Sequence, residues 1–371
     1  MSLGRDVIGK VFLLVWLPLL SSPILYAGPP TLDGSRWQGT REAPQLLLSG
    51  SGFGSRDYSR TGNGFLNVAW NTFDDGQFAA GGWSFENDSG QQWSLVPGGR
   101  TGRGYSAKKV YKTSEYGSFY VTQEGTSGKW FISFWLMMPT PQQSGKFFRI
   151  YGSGSAANIY TSTGGNATFP DVDFNLRGFS ECSACGNPTT QWSSPDQWVG
   201  GKWSRVDFVM RDHPTLDEFS VYLDGKLQWT KKSANGKRWV GNPFGGDGHT
   251  LHVGAALDAP WRSNNYGSPG AYNFDDLYLD YTWARVEIGD APIWSECQHK
   301  EIQIPRQWSD SQVVVDFNQG SFAAGEEVYI YLVDNEGQVS NSQRLVVPGS
   351  RGQSRPNPPA KLRIVPRPNS R

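Results

Sequence analysis

WSRVDFVMR, residues Trp203–Arg211, sets Val206, Phe208 and Met210 on one alternate series and Arg205, Asp207 and Arg211 on the other. Residues two apart share a face of a strand, so the segment reads as a strand with one face on a core and the other toward solvent or ligand. Working outward, further strand segments are Trp130–Met137 (WFISFWLM), Lys146–Tyr151, Asp171–Arg177 (DVDFNLR), Glu218–Leu223 before the turn Asp224-Gly225, His249–Gly254 and Phe274–Ile288. Gly, Asn, Asp and Ser separate these segments, and no persuasive amphipathic helix falls between them. The expected fold class is all-β. The stretch from Asn63 to Ile288 is long enough for two packed antiparallel sheets in one domain, for which a jelly-roll sandwich is the economical solution.

Composition agrees. The 371 residues include 45 Gly and 23 Pro without a collagen-like period, and 14% are aromatic with 16 Trp, which favours short strands and turns over long helices. With 34 basic and 34 acidic residues the formal net charge is zero, so no general attraction to nucleic acid or anionic membranes is expected. There is no P-loop, dinucleotide fingerprint, GxSxG elbow, HExxH helix or paired CxxC motif, which leaves nucleotide, serine-hydrolase and zinc-protease chemistry without support.

Arg5 and Lys10, an apolar run Val11–Leu20 and then Ser21–Ala27 read as a secretory signal peptide over residues 1–27, cleaved near Ala27. A membrane anchor is the competing reading, but Pro18 and Ser21-Ser22-Pro23 break the run, and a spanning helix needs about 20 apolar residues. The mature protein is thus expected to be secreted, periplasmic or at the cell surface, with no membrane span after cleavage. Residues 28–43 read as an exposed linker and 349–371 as a Pro-rich basic tail. In an oxidising compartment Cys182 and Cys185 are expected to form a loop-stapling disulfide, leaving Cys297 over. Free thiols, or half of a zinc site lacking its second ligand pair, are the alternatives.

The succession FDDG (Phe73–Gly76), KWFISFWLMMP, KFFRIYG, KWSRVDFVM, FSVYLDGK and FDDLYLDYTWARVEI resembles a concanavalin A-like (laminin-G/lectin/glucanase) sandwich of secreted proteins. The ExDxxE signature of the glucanase branch and the RxELR and QIH motifs of the alginate-lyase branch are missing from it. A second resemblance lies at both ends of the sandwich. Gln45–Gly54 (QLLLSGSGFG) and Ile304–Val347 resemble the strands of a TIG-type immunoglobulin-like domain. Together they imply a split module, with a first strand in residues 44–62, the sandwich in 63–288 and the remainder in 289–348. A free N-terminal strand beside a complete minimal module of residues 291–348 is the alternative.

The concanavalin A-like resemblance implies that a sugar chain lies across the concave sheet, which makes a polysaccharide the expected partner; a non-catalytic structural or adhesive surface protein whose sandwich contacts protein is an alternative. Alternation proposes the residues that face it: Arg149 with Tyr151, Asp171 and Asp173 with Asn175 and Arg177, Arg205 with Asp207, His252, and Asp276 with Tyr278 and Asp280. They supply planar donors, carboxylates and rings suited to sugar hydroxyls and ring faces, although the solvated side of an antiparallel sheet is polar too. Trp192, Trp198, Trp261 and Tyr266 are expected in loops as stacking platforms, whereas Trp130, Trp135, Trp203 and Trp283 fit core positions better. A polysaccharide lyase would need a group to neutralise the uronate and a base for the C5 proton, and Arg149, Asn175 and Arg177, with His252 as base and Tyr278 as acid, fit those roles by type. A hydrolase would need two flanking carboxylates, and no motif pairs any. Asp74, Asp75, Asp275 and Asp276, on the first and last strands, are candidates for a structural Ca2+ or for ordinary turn residues.

Overall fold

The computed structural model describes residues 28–40, 43–56, 68–87, 92–110, 117–123, 129–137, 145–152, 158–163, 175–181, 190–197, 200–211, 218–232, 249–254 and 271–349. The expected signal peptide and the tail beyond Gly349 lie outside them, as do Asp171, Asp173, Cys182, Cys185, Trp198, Trp261 and Tyr266. The described residues form antiparallel strands with one short 3-10 turn at Trp294–Glu296, an all-β protein as the alternation requires.

Sheet I runs β15 (Lys226–Lys232), β14 (Glu218–Leu223), β13 (Trp203–Arg211), β8 (Lys129–Met137), β17 (Ala271–Asp280), β6 (Tyr105–Val110), β5 (Gln92–Pro97), with β3 (Val68–Asn71) also paired to β17. Sheet II runs β12 (Thr190–Gln197), β11 (Asn175–Glu181), β10 (Asn158–Thr163), β9 (Gly145–Gly152), β16 (His249–Val253), β7 (Gly117–Gln123), β4 (Ser84–Asn87). Their inner faces share one core. Val206, Phe208 and Met210 of β13 meet Phe148, Leu251 and Val253 from sheet II, and the Phe148 and Phe208 rings stack with centroids 4.1 Å apart. Each such side chain, fully buried, contributes about 1.5–3 kcal/mol.

Sheet III runs β1 (Thr31–Gly39), β2 (Pro44–Ser51), β20 (Gln312–Asp316), β19 (Lys300–Trp308), β18 (Arg285–Gly289), β21 (Glu327–Val333), β22 (Gln343–Val346). Residues 300–303 of β19 pair with β18 and residues 304–308 pair with β20, across a register shift after Pro305. The sheet closes on itself: the Asn341 side chain bonds both the N–H and the carbonyl of Leu32, and Gln343 donates to the same carbonyl. Leu46 and Leu48 from β2 pack with Val286, Ile288, Val313, Val315 and Ile330 in its core. The small module therefore draws its β1–β2 hairpin from before the sandwich and its other strands from after it.

Two expectations are corrected. Thr31–Gly39, expected within an exposed linker, is a strand paired to β2 over its length, because register on a neighbouring strand outweighs a polar composition. Phe274–Ile288, expected as one strand, is β17 in sheet I and β18 in sheet III. Between them the Asp280 carboxylate accepts from Thr282 N (3.2 Å) and Thr282 Oγ1 accepts from Ala284 N (2.8 Å), so side chains take the amides a ladder would use.

Candidate functional site

Each sheet of the sandwich has one face on the core, so a ligand face has to be one of the two outer faces. The outer face of sheet I is closed. Phe131, Tyr278 and Trp70 on it pack with Ile302, Ile304 and Trp283. Ion pairs fill the rest of the contact. Arg205 donates from Nε to Asp207 Oδ1 (2.8 Å) and Ser133 Oγ (3.1 Å), from Nη1 to the Lys300 carbonyl (3.1 Å), and from Nη2 to the Glu287 carboxylate. Arg100 reaches Glu301 through both terminal nitrogens (2.8 and 2.6 Å) and Asp276 through Nε (2.5 Å). Arg56, the last described residue before β3, bonds the Asp280 carboxylate and the Ala284 carbonyl, and Tyr278 donates to the same carboxylate (2.7 Å).

Electrostatics show how these charges stay buried. Burial pushes the Glu287 carboxyl up, but Arg285, Arg205 and Lys300 together hold it well below the usual carboxylate range. Glu301 behaves alike, with Arg100 and His299 outweighing burial. At Asp280 burial prevails over Arg56 and its pKa is raised, while burial and Asp280 together push the Tyr278 phenol well above its ordinary value.

The outer polar series of sheet I is thus an internal surface, which corrects five expectations. Arg205, Asp207 and Tyr278, expected to meet sugar or to donate a proton, are 3%, 4% and 0% exposed against sheet III. Asp276 and Asp280 are 3% and 1% exposed there, with Arg100 on the first and Arg56 on the second. Alternation separated the two faces correctly; it could not say that a second module covers the polar one with matching charge.

The acids expected to hold calcium have partners of their own. Asp275 Oδ2 accepts the Arg100 amide (2.8 Å) and Asp275 Oδ1 the Asp276 amide (2.9 Å), while Asp75 Oδ1 accepts from Gln77 N (3.0 Å) as a turn residue. Asp74 lies against the same loop, since a Cβ on Gly104 would stand 1.6 Å from its Oδ1. Arg100 thus bonds Asp275 through its amide and Asp276 through its guanidinium. Among the described residues no group of three or more His, Cys, Asp or Glu is placed to hold a metal ion.

Sheet II differs. Leu251 and Val253 point into the core, which sets His252 on the outer face, and no core cluster forms on that face among the described residues. Register aligns Ser84, Tyr120, His252, Arg149, Tyr160, Phe179 and Gln191 in one row across all seven strands. At about 4.8 Å per strand spacing the row is about 29 Å long. Tyr151 stands opposite Thr250 and Asn158 in the neighbouring row, Arg177 opposite Ser162 and Ser193, and Asn175 opposite Gln197. Trp192, expected in a loop, stands in β12 opposite Gly178. Of the tryptophans expected in the core, Trp130 and Trp135 are buried in β8 and Trp283 is buried between β17 and β18, while Trp203 is half-buried.

His252 is the best-defined group of the row. Its Nδ1 lies 2.7 Å from Ser118 Oγ, which is 3.2 Å from Glu86 Oε1, and its ring stacks at 5.7 Å on Tyr120 with 24° between planes. Sequence reasoning found His252 and Arg149 but missed Tyr120, Ser118 and Glu86. GSFYVTQ, residues Gly117–Gln123, carries the alternation that would have shown them, with Phe119 and Val121 against Ser118 and Tyr120.

No family model matches the chain, and no curated protein does. Solved structures similar to it include an alginate lyase, Aly36B (9% identical, 58% of this chain and 97% of that one, TM-score 0.38). Others are the laminarinase from Flavobacterium sp. UMI-01 (10%, 57% and 98%, TM-score 0.37) and an endo-1,3-beta-glucanase from Streptomyces sioyaensis (11%, 59% and 98%, TM-score 0.36). Identities and TM-scores at this level bring no activity to this chain.

Proposed function

We propose that the protein binds an extended polysaccharide across the outer face of sheet II, as an exported recognition protein. The row from Tyr120 through His252 and Arg149 to Tyr160 carries this reading. It is long, crosses every strand of the outer face of the sandwich that no core cluster covers among the described residues, and combines aromatic with hydrogen-bonding residue types. Aromatic rings stack on the apolar faces of sugars, and arginine and histidine at neighbouring register positions are residue types that bond carboxylates and hydroxyls. An acidic polysaccharide is therefore the favoured ligand. The small module, which we read as immunoglobulin-like, backs the opposite sheet and stiffens the platform.

A lyase is the second reading, favoured by the Tyr120 and His252 rings standing together beside the Arg149 position. There His252 would take the C5 proton, the C4–O bond would break as the C4–C5 double bond formed, and Tyr120 would protonate the leaving oxygen in the role Tyr278 cannot fill. The test is retention of the full chain on alginate, polygalacturonate and laminarin, with ultraviolet absorbance of unsaturated uronates followed in parallel. Retention on the acidic polymers without absorbance supports recognition, and rising absorbance replaces it with the lyase. Absence of both refutes the carbohydrate reading.

A further inference from the structure

One edge of sheet III carries no strand among the described residues. β1 pairs with β2 on one side, and on its other side side chains alone tie it to β22, Asn341 and Gln343 both bonding Leu32. From Asp33 to Gly39 that edge meets no backbone partner among the described residues. The inner series shows the same gap. Ser35 and Trp37 stand opposite Leu48 and Leu46, which are core residues, so both point inward. Yet Trp37 is 37% exposed, although its ring meets the buried Phe317 edge-on at 4.9 Å. A tryptophan on the core side of a strand with so much surface bare marks a place where the core lacks a cover. Natural proteins ordinarily pair or cover an open edge of this kind.

Strand direction and sequence name the cover. Six antiparallel pairings lead from β1 to β22, so these two edge strands run parallel. Gln343, at the start of β22, bonds Leu32, near the start of β1, so the chain leaves β22 toward the Gly39 end of β1. A segment turning back there would run antiparallel to β1. The residues that follow, Pro348-Gly349-Ser350-Arg351-Gly352, have turn composition. Beyond them Ala360–Val365 (AKLRIV), between Pro359 and Pro366, alternates Ala360, Leu362 and Ile364 with Lys361, Arg363 and Val365, a strand pattern of edge-strand length. Ten residues separate Gly349 from Ala360. They reach up to about 33–36 Å, against about 23 Å for Asp33 to Gly39. Charge agrees: residues 350–371 hold six Lys or Arg and no acid, whereas 289–348 hold nine Asp or Glu and three Lys or Arg.

We propose that Ala360–Val365 pairs antiparallel with the open edge of β1 as the eighth strand of the small module, with Leu362 and Ile364 on the side of Trp37 and Lys361 and Arg363 on the outer side. The added strand gives the edge amides of β1 acceptors and shields the bare flank of Trp37. A basic outer side suits an acidic module. Docking of this strand is independent of what sheet II binds.

Hydrogen exchange of the full chain, read by mass spectrometry with and without Leu362→Asp/Ile364→Asp, tests the docking. The amides of 361–365 and the edge-facing amides of 33–39 should exchange at least about tenfold more slowly in the wild type than in the variant, while Trp203–Arg211 in the sandwich exchanges alike in both. Trp37→Ala, made from the other side of the contact, should also release 361–365. Sedimentation over a range of concentrations accompanies the exchange. Protection of 361–365 in a monomer supports docking of the chain's own tail, whereas protection that appears only with dimers assigns the strand to a second copy and overturns it. Rapid exchange of 361–365 in the wild type overturns it too. So does a β1 edge that stays protected in the variant, since another segment then covers it.

Discussion

Replacing Arg56 with Met tests whether the contact between the sandwich and the small module is held by charge. Arg56 bonds the Asp280 carboxylate at the point where the chain turns from sheet I into sheet III, and both side chains are almost fully buried, 2% and 1% exposed. Removing one partner of a buried pair ordinarily costs about 3–5 kcal/mol. Here the cost has a ceiling, because the abandoned carboxylate can take up a proton. From the ordinary value of 3.8, protonating Asp280 at pH 7 would cost about 4.4 kcal/mol at 1.36 kcal/mol per unit. Burial already raises Asp280 in the wild type, so the loss in Arg56→Met stays below that figure at pH 7 and below about 1.6 kcal/mol at pH 5. Urea unfolding at both pH values measures it. Arg56→Met/Asp280→Asn, which leaves the Tyr278 hydroxyl an amide oxygen to bond, should recover most of the loss at pH 7. Equal losses at pH 5 and pH 7, or no recovery in the double variant, would refute the account.

Glu287 and Glu301 are held below the ordinary value of 4.5, so the stability they add is present above that value and is lost as pH falls through their lower folded values. Thermal unfolding should weaken with acid in that window, and Glu287→Gln/Glu301→Gln should flatten the slope. Leu48→Ala, at a fully buried β2 position, should destabilise by about 2–5 kcal/mol and lower hydrogen-exchange protection in Glu327–Val333. Protection unchanged there would contradict a shared core. Gly104→Ala meets Asp74 Oδ1 at 1.6 Å from a backbone at φ +58°, and should lower the melting temperature far more than Gly102→Ala, which meets nothing within 4 Å at a similar φ. Arg149→Ala should weaken alginate retention and reduce its salt dependence, with laminarin as the neutral control.

The all-β architecture was legible in segments such as WSRVDFVMR because period-2 alternation is a local property of a strand. Which polar face stays uncovered is not local. Arg205 and Asp207 look in sequence like any solvated strand face, and what closes them, Glu287 and Lys300, lies across another sheet. The break between β17 and β18 was hidden because YTWA at 281–284 is as apolar as the strands it separates, and only the side-chain bonds of Asp280 and Thr282 stop the ladder. On sheet II, His252 and Arg149 were found from their strands, whereas Ser118 and Glu86 look ordinary until register brings them beside the imidazole.

The β1–β2 hairpin meets its partner strand only across a sequence separation such as the 271 residues between Gln45 and Asp316, whose side chains bond at 2.9 Å. During synthesis the hairpin emerges first, and a lone two-stranded ribbon is marginal in water. Leu46 and Leu48 must wait, with the whole sandwich still to be made, until β20 arrives to cover them. Such distant closure slows folding and leaves an apolar strand edge open to other chains meanwhile. The small module can therefore mature only after the sandwich is complete, and a chain that stops short of Gln312 would carry the uncovered hairpin as a seed for aggregation.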